Sequence, residues 1–412
     1  MTTEAKLNWR GRRLDVEIGP VAHGGHCVAR FEGRVVFVRH ALPGERVIVH
    51  VTEDKGGGFC RGDAVEIITS SPDRVVPPCP LAAPGACGGC DFQHASGEAQ
   101  RQLKASVVAE HLRKATGHDI PVVVEELTGG LLEWRTRIRM AVGGDGVPGF
   151  RAHRSHQVVP VGHCPITVPG LVESVAGNGF QRDSELQMVR DGAGRINIRE
   201  IGKPQAAGRR RIPRQAQISG DGVATEFAAG RHWEFDAYNF WQIHPAAADT
   251  LAGVVAEWAE ASPGACAWDL YSGVGLFASV LAEQVGPTGR VWAVEYVAAA
   301  SDATRLLADL PQVTVAPLAV EGALGTGHLK GPDPEVVVLD PPRTGAGHAV
   351  VDQIAARKPA RVIYVACDPA ALGRDVARFM THGYRLELVR AFDAFPMTHH
   401  VEAVALLTPP PR

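Results

Sequence analysis

The stretch Arg361-Val-Ile-Tyr-Val-Ala-Cys367-Asp368-Pro369-Ala-Ala371 decides how this chain is read. Its β-branched and aromatic run, Val362 to Val365, reads as a buried strand. Asp368-Pro369 cannot continue a hydrogen-bonded ladder and turns the chain. Cys367 is therefore expected at the carboxyl edge of a sheet, where open α/β folds keep their ligands. A cysteine there is either a small core residue or a presented thiol. The rest of the chain favours the thiol.

Three further stretches share the pattern of a strand that ends in chemistry. Ala265-Cys-Ala-Trp-Asp269-Leu-Tyr271-Ser-Gly273-Val-Gly275-Leu-Phe277 reads as a strand, a glycine turn and the start of a helix. The glycines let backbone approach a ligand at a helix N-terminus. Arg290-Val-Trp-Ala-Val-Glu295 is a second strand, ending in an acid placed to accept from ribose hydroxyls. A nicotinamide cofactor would fit those two alone. Val336-Val-Val-Leu-Asp340-Pro-Pro-Arg343 separates the possibilities. Its Asp-Pro-Pro strand end resembles that of S-adenosylmethionine (SAM) methyltransferases acting on planar bases. In Phe395-Pro-Met-Thr-His-His400-Val-Glu402-Ala-Val-Ala-Leu-Leu407, an acid stands inside an apolar run. That is costly without a partner or a task, so Glu402 is a candidate base as well as a buried structural acid.

The length of 412 residues suggests two to three domains, and 45% hydrophobic with 21% charged residues is ordinary for a globular chain. A net charge of −3 argues against a globally basic nucleic-acid binder, so any RNA surface must be local. Met1 to Arg13 has no apolar core of a leader, and no run of eighteen apolar residues occurs. The expectation is a cytoplasmic, monomeric protein with no membrane partner.

From Leu14 to Ile68, five short β-rich runs alternate with glycine turns, which suggests a small, OB-like β-barrel over residues 1–71. Arg30, Phe31, Phe37, Arg39 and Arg61 are candidate contacts for single-stranded RNA on its surface. Gly24 to Val38, followed by Leu42-Pro-Gly-Glu-Arg46, resembles a TRAM domain, an RNA-binding barrel.

Cys79-Pro-Leu-Ala-Ala-Pro-Gly-Ala-Cys87-Gly-Gly-Cys90 gathers three of the eight cysteines into twelve residues. The Cys-x2-Cys pair lets two thiolates face one metal group and lets backbone N–H groups approach the sulfurs. A fourth ligand is needed, and Cys164, in His163-Cys-Pro-Ile166, has the most similar setting. Cys79, Cys87, Cys90 and Cys164 are thus expected to hold a 4Fe–4S cluster, with zinc the competing occupant. Gln93 to Gly117 reads as a helix, and Pro121–Glu125 and Trp134–Val142 as strands. The second strand places Arg135, Arg137 and Arg139 on one face. With Arg151, Arg154, Arg209 to Arg211 and Arg214 they form a basic region suited to phosphates.

Taken together, Cys79 to His94, Asp269 to Phe277, Asp340 to Arg343, Cys367 to Pro369 and Thr398 to Glu402 resemble the RNA uracil-5-methyltransferase family. Its TRAM-bearing, iron–sulfur branch, which methylates 23S ribosomal RNA, is the most similar. The resemblance implies a Rossmann-like SAM methyltransferase domain over 238–412 and a central α+β metal-binding domain over 72–237. The helix 93–117 would pack on the catalytic domain. It implies that Cys367 adds to C6 of a flipped-out uridine, that Glu402 removes the C5 proton, and that Asp340 orients base or thiol. Gln242, Tyr271, Gly273, Glu295 and Asp340 would contact SAM. The chain departs from the family in placing seven residues rather than five between Cys79 and Cys87. It also has His244 where asparagine is usual, and Leu276 in the glycine loop. A non-catalytic RNA-binding protein, a cytosine-5 enzyme and a transfer-RNA substrate are the rival readings.

Overall fold

The computed structural model describes residues 8–207 and 210–410. Arg209 lies outside these, and so do the side chains of Arg210 and Arg211. The N-terminal sheet has six strands, in the order Arg13–Glu17, Arg46–Asp54, Phe59–Thr69, Arg34–Arg39, His26–Phe31 and Val21–Ala22. The sixth is a two-residue strand that no sequence run announced. Arg13–Glu17 alternates strictly between exposed and buried positions, the signature of a strand with one face in a core. Past its end the chain returns to the far side of the sheet. There the Gly19 N–H donates to the Val28 carbonyl and the Val28 N–H to that of Pro20. The sheet thereby closes on itself.

A second, antiparallel six-stranded sheet runs in the order Val158–Pro160, Pro148–Arg151, Arg137–Val142, Glu185–Arg190, Ile196–Ala207 and Arg210–Ser219. The third sheet has eight strands: Val313–Pro317, Arg290–Glu295, Cys266–Leu270, Val336–Leu339, Arg361–Ala366, Glu402–Thr408, Arg385–Asp393 and Val124–Glu126. The first five are parallel, Glu402–Thr408 is antiparallel to both its neighbours, and Val124–Glu126 closes the edge in parallel. Val336–Leu339 is wholly buried, as a parallel strand covered on both faces must be. Strand order reverses between Cys266–Leu270 and Val336–Leu339, which opens a crevice at their carboxyl ends.

The helix expected over 93–117 runs Gly97–Thr116. Ser96 caps it by accepting from the Ala99 N–H, so Gln93 to Ala95 stay outside and the Gln93 amide oxygen instead accepts from the Cys79 N–H. The helix joins two cores: Leu103 and Val107 pack with the N-terminal sheet, Val108 and Leu112 with the eight-stranded sheet. The strand after it, Val124–Glu126, also belongs to that large sheet. The hairpin Val223–Ala228 with Arg231–Asp236 sends Trp233 and Phe235 into a second core of that sheet, with Val338, Ile363 and Val404, ahead of the expected boundary at 238. Among the described residues, no helix is long and apolar enough to cross a membrane.

One buried ion pair pins this helix to the eight-stranded sheet. Lys104 Nζ lies 2.5 Å from Asp393 Oδ1 and donates to the Phe395 carbonyl at 3.0 Å, with both side chains essentially unexposed. Truncating one partner strands the other charge. Lys104→Met is expected to destabilise the protein by about 3–5 kcal/mol. Urea unfolding checks this, and adding Asp393→Leu should recover part of the loss.

Candidate active site and cysteine cavity

Cys367 follows the strand Arg361–Ala366, as the sequence predicts, and Asp368 then caps the helix Pro369–Thr381 with its Oδ1 accepting from the Ala371 N–H at 2.8 Å. Asp340 follows the adjacent parallel strand Val336–Leu339. Glu402 opens the antiparallel strand on the other side. The register Ala366 opposite Ala403 sets Cys367 directly across from Glu402. Three strand ends thus bring thiol and two carboxyls to one edge of the sheet, although Asp340 and Glu402 stand 62 positions apart in the sequence.

The electrostatics of this edge keep protons on. Glu402 is only 3% exposed, and burial first, then the Asp340 carboxyl, hold its pKa well above the usual carboxylate range. Asp340 is pushed up to about 7 by burial and by Glu295. The Cys367 thiol is pushed up to about 12 by burial and then by the charges of Glu402 and Asp340. Arg343 alone opposes this, lowering both Cys367 and Glu402. Its guanidinium is exposed and lies 3.3 Å from His400 Nε2, a ring that burial drives down to about 3, hence a neutral acceptor. The sequence reading quoted Arg343 inside Asp340-Pro-Pro-Arg but assigned it nothing. Its signal was adjacency to Asp340.

At the crevice, Tyr271 and Gly273 both have positive φ, and Gly275, at φ +99, would drive a Cβ to 2.5 Å from a Leu307 methyl. This tight turn leads into the helix Leu276–Val285. Asp269, fully buried, accepts from the Ala278 N–H through Oδ2. Its Oδ1 and the buried Ser272 hydroxyl have no partner among the described residues. Glu295 accepts from the Gly273 and Tyr296 N–H groups at 2.8 and 2.7 Å. A carboxylate has about four acceptor positions, so two remain for a ligand. Tyr296, which the sequence reading passed over, is 67% exposed beside it. Gln242 is buried just before the helix Ala247–Ala259. The two departures from the family pattern have local explanations. His244 Nδ1 accepts from the Ala246 N–H at that helix start and its ring stacks on Trp134, while Leu276 is buried as the first residue of its helix.

Cys79, Cys87, Cys90 and Cys164 line one cavity of about 40 Å³ with Leu81, Phe150 and Arg135. The backbone N–H of Gly89 lowers the Cys87 pKa, and those of Ile166 and Thr167 lower that of Cys164, against burial that raises both. A Cβ on Gly88 would collide with His153 backbone at 2.6 Å, so only glycine lets this loop lie down. Among the described residues, no three His, Cys, Asp or Glu side chains converge as ligands of a single ion. The cavity is stitched to the Glu402 loop. Asp91 and Phe92 N–H groups both donate to the Met397 carbonyl, and Asp91 Oδ2 lies 2.6 Å from His399 Nδ1.

The expected basic face is corrected by the structure. Arg135 points into the cysteine cavity, Arg137 is paired with Glu226 at 3.0 Å and donates to the Ala237 carbonyl, and only Arg139 is open to solvent. The face that would have met solvent is covered near Arg135 by the cysteine loop and near Arg137 by the Ala237 to Asn239 segment, whose carbonyls take the guanidinium. On the barrel, Arg39 is likewise internal, reaching the Cys90 carbonyl, and Phe31 packs edge-on against Trp9. Arg30 is exposed. Arg61 stacks over Phe37 and over Phe59, itself 44% exposed. That trio forms the barrel's cation–aromatic surface.

Two family patterns match: TRAM domain over residues 9–65 and tRNA (Uracil-5-)-methyltransferase over residues 326–409. The chain is 44% identical to an RNA methyltransferase of Streptomyces avermitilis, over 97% of this chain and 99% of that one. It is 28% identical to the 23S rRNA (uracil(1939)-C(5))-methyltransferase RlmD of Shewanella amazonensis, over 96% and 95% of the two chains. The fold resembles the Pyrococcus abyssi tRNA (uracil-54, C5)-methyltransferase solved with S-adenosyl-L-homocysteine. The TM-score is 0.69 at 22% identity, covering 95% of this chain and 99% of that one.

Proposed function

The chain belongs to the RNA (uracil-5-)-methyltransferase family, and from that premise we propose that it methylates C5 of a uridine in ribosomal RNA through a covalent adduct at Cys367. The observation that carries this reading is the facing of Cys367 and Glu402 across adjacent strands, with Asp340 beside them. SAM, when bound, supplies an electrophilic methyl carbon. Gln242, Tyr271, Gly273 and Glu295 would hold it, with the open Tyr296 ring as a stacking face for adenine.

The chemistry needs this constellation because C5 of uracil is a weak nucleophile until C6 carries an added group. In the proposed sequence the Cys367 thiol gives its proton to Asp340, and the Sγ–C6 bond forms. The electron pair moves into a C5 enolate, the carbon nucleophile that would take the methyl group from SAM as the S–CH3 bond breaks and the neutral thioether leaves. Glu402, which acts at this step as its carboxylate and is made a stronger base by its raised pKa, then removes the C5 proton, and the double bond returns as the Sγ–C6 bond breaks. The thiolate recovers its proton from Asp340. Arg343 is the cation whose charge lowers the pKa of both the thiol and Glu402, so it favours negative charge on either. The target uridine must leave its stack to reach this edge.

The four cysteines would hold a 4Fe–4S cluster. Four cysteines around one cavity match the four-thiolate ligation that such a cluster takes. The N–H groups that lower the Cys87 and Cys164 pKa and the Arg135 guanidinium would offset its negative charge. Protein purified without oxygen should contain about four irons per chain, and Cys90→Ser should lose them together with visible charge-transfer absorbance. Stoichiometric zinc without iron would overturn the assignment. For the activity itself, purified enzyme is incubated with labelled SAM and unmodified ribosomal or transfer RNA, and the digested nucleosides are separated. Label in 5-methyluridine from ribosomal RNA is expected. Label in 5-methylcytidine, or only in transfer RNA, would overturn the base or the substrate assigned.

A further inference from the structure

The hairpin between the strands Val21–Ala22 and His26–Phe31 reaches out of the N-terminal barrel and onto the loop that carries Cys367. His23 Nε2 lies 3.3 Å from Asp368 Oδ2. Asp368 divides its two oxygens: one caps the helix Pro369–Thr381, the other faces His23. Two residues on, Gly25 has φ +77, and a Cβ there would stand 2.9 Å from His399 Cβ and 3.0 Å from Asp91 Cβ. The hairpin tip therefore fills the junction of three segments: the Cys367 loop, the cysteine-cavity loop and the loop leading to Glu402. A tether that only brings RNA near would not need a contact one residue from the nucleophile.

We propose that this hairpin is a working part of the active site, with His23 a positioning residue that fixes Asp368 and thereby the direction of the Cys367 thiol. The proposal rests on Cys367 being the nucleophile. Without His23, Asp368 keeps its helix-cap bond but its second oxygen is free, so the turn that aims the thiol loses its outer restraint. Both side chains are partly exposed, at 41% and 22%, so the pair contributes little to stability. Its effect falls on geometry, where a displacement of about 1 Å can cost on the order of a hundredfold in rate.

The groups facing His23 are Asp368 and Arg374 from the helix Pro369–Thr381, His111 from the helix Gly97–Thr116, and His399. Asp368 raises the His23 pKa above its ordinary value, against burial and Arg374. The pair is thus fully formed below the ordinary histidine pKa and is lost as pH rises through the raised one. Thiol alignment should weaken on that alkaline side.

The test measures single-turnover adduct formation and methyl transfer by the full-length enzyme on unmodified ribosomal RNA, as a function of pH. His23→Ala is expected to slow adduct formation roughly ten- to hundredfold. RNA KM and the melting temperature should stay near wild type. His23→Gln, whose amide N–H reaches the position of Nε2 and keeps a neutral donor toward Asp368, should restore most of the rate and remove the alkaline decline. Adding Asp368→Asn to His23→Ala should cost no more than Asp368→Asn alone, because the two act as one unit. Wild-type rates in His23→Ala, a loss confined to RNA KM, or additive losses would overturn the proposal and leave the barrel as a tether. If the wild-type enzyme methylates RNA but forms no adduct, the nucleophile assignment fails, and the role of His23 with it.

Discussion

Replacing Cys367 with alanine is expected to abolish methyl transfer, lowering kcat on the order of 10⁴-fold or more, as removal of a nucleophile does elsewhere. The thiol is the one group at the sheet edge that can form and later release a bond to carbon. Burial and two carboxyls hold it protonated, with a pKa pushed up to about 12, so it is inert until a base is presented with substrate. The variant should still fold. Alanine fills a position already followed by the capped start of a helix, and Asp368 keeps that cap. SAM binding by calorimetry should be retained, since the donor contacts proposed above lie on other strands. Methylation that survives the change would mean direct transfer to an already nucleophilic atom, and a different target.

Glu402→Gln is expected to separate the two halves of the reaction. Addition of Cys367 and transfer of the methyl group need no proton from C5, whereas elimination does. The variant should therefore transfer a single methyl group per active site and stop. A covalent protein–RNA species should then persist on denaturing gels. Steady-state turnover should fall about 10²- to 10⁴-fold, the usual contribution of a positioned base. Glutamine is nearly isosteric and removes a buried acid crowded by Asp340, so the fold should not suffer. Loss of the adduct as well as turnover would place Glu402 before methyl transfer, as the base for the thiol.

Much of this site was legible because each of its groups sits where a regular element ends. Asp340-Pro-Pro and Cys367-Asp-Pro announce strand ends through residues that cannot continue a ladder, and the structure puts both at the carboxyl edge of parallel neighbours. Glu402 was visible as an acid in an apolar run. What local sequence could not carry was anything fixed by contacts between distant segments. The alternating arginines of Arg135 to Arg139 look like a solvated basic face, and only the packed fold reveals that sulfurs and Glu226 take up two of them. The helix start at Gly97 rather than Gln93 depended on a side-chain cap at Ser96 and on the use of Gln93 elsewhere. Likewise, the junction of His23, Asp91, His399 and Asp368 joins residues up to 376 positions apart, numbered 23 to 399, and has no local pattern to reveal it.

The most direct measurement follows tritium from RNA whose uridines carry it at C5, incubated with the enzyme in the presence and absence of SAM. The account predicts release to water that requires SAM, matches methyl groups incorporated, and disappears in Cys367→Ala. Methyl incorporation without tritium release, or release that survives in Cys367→Ala, would contradict it.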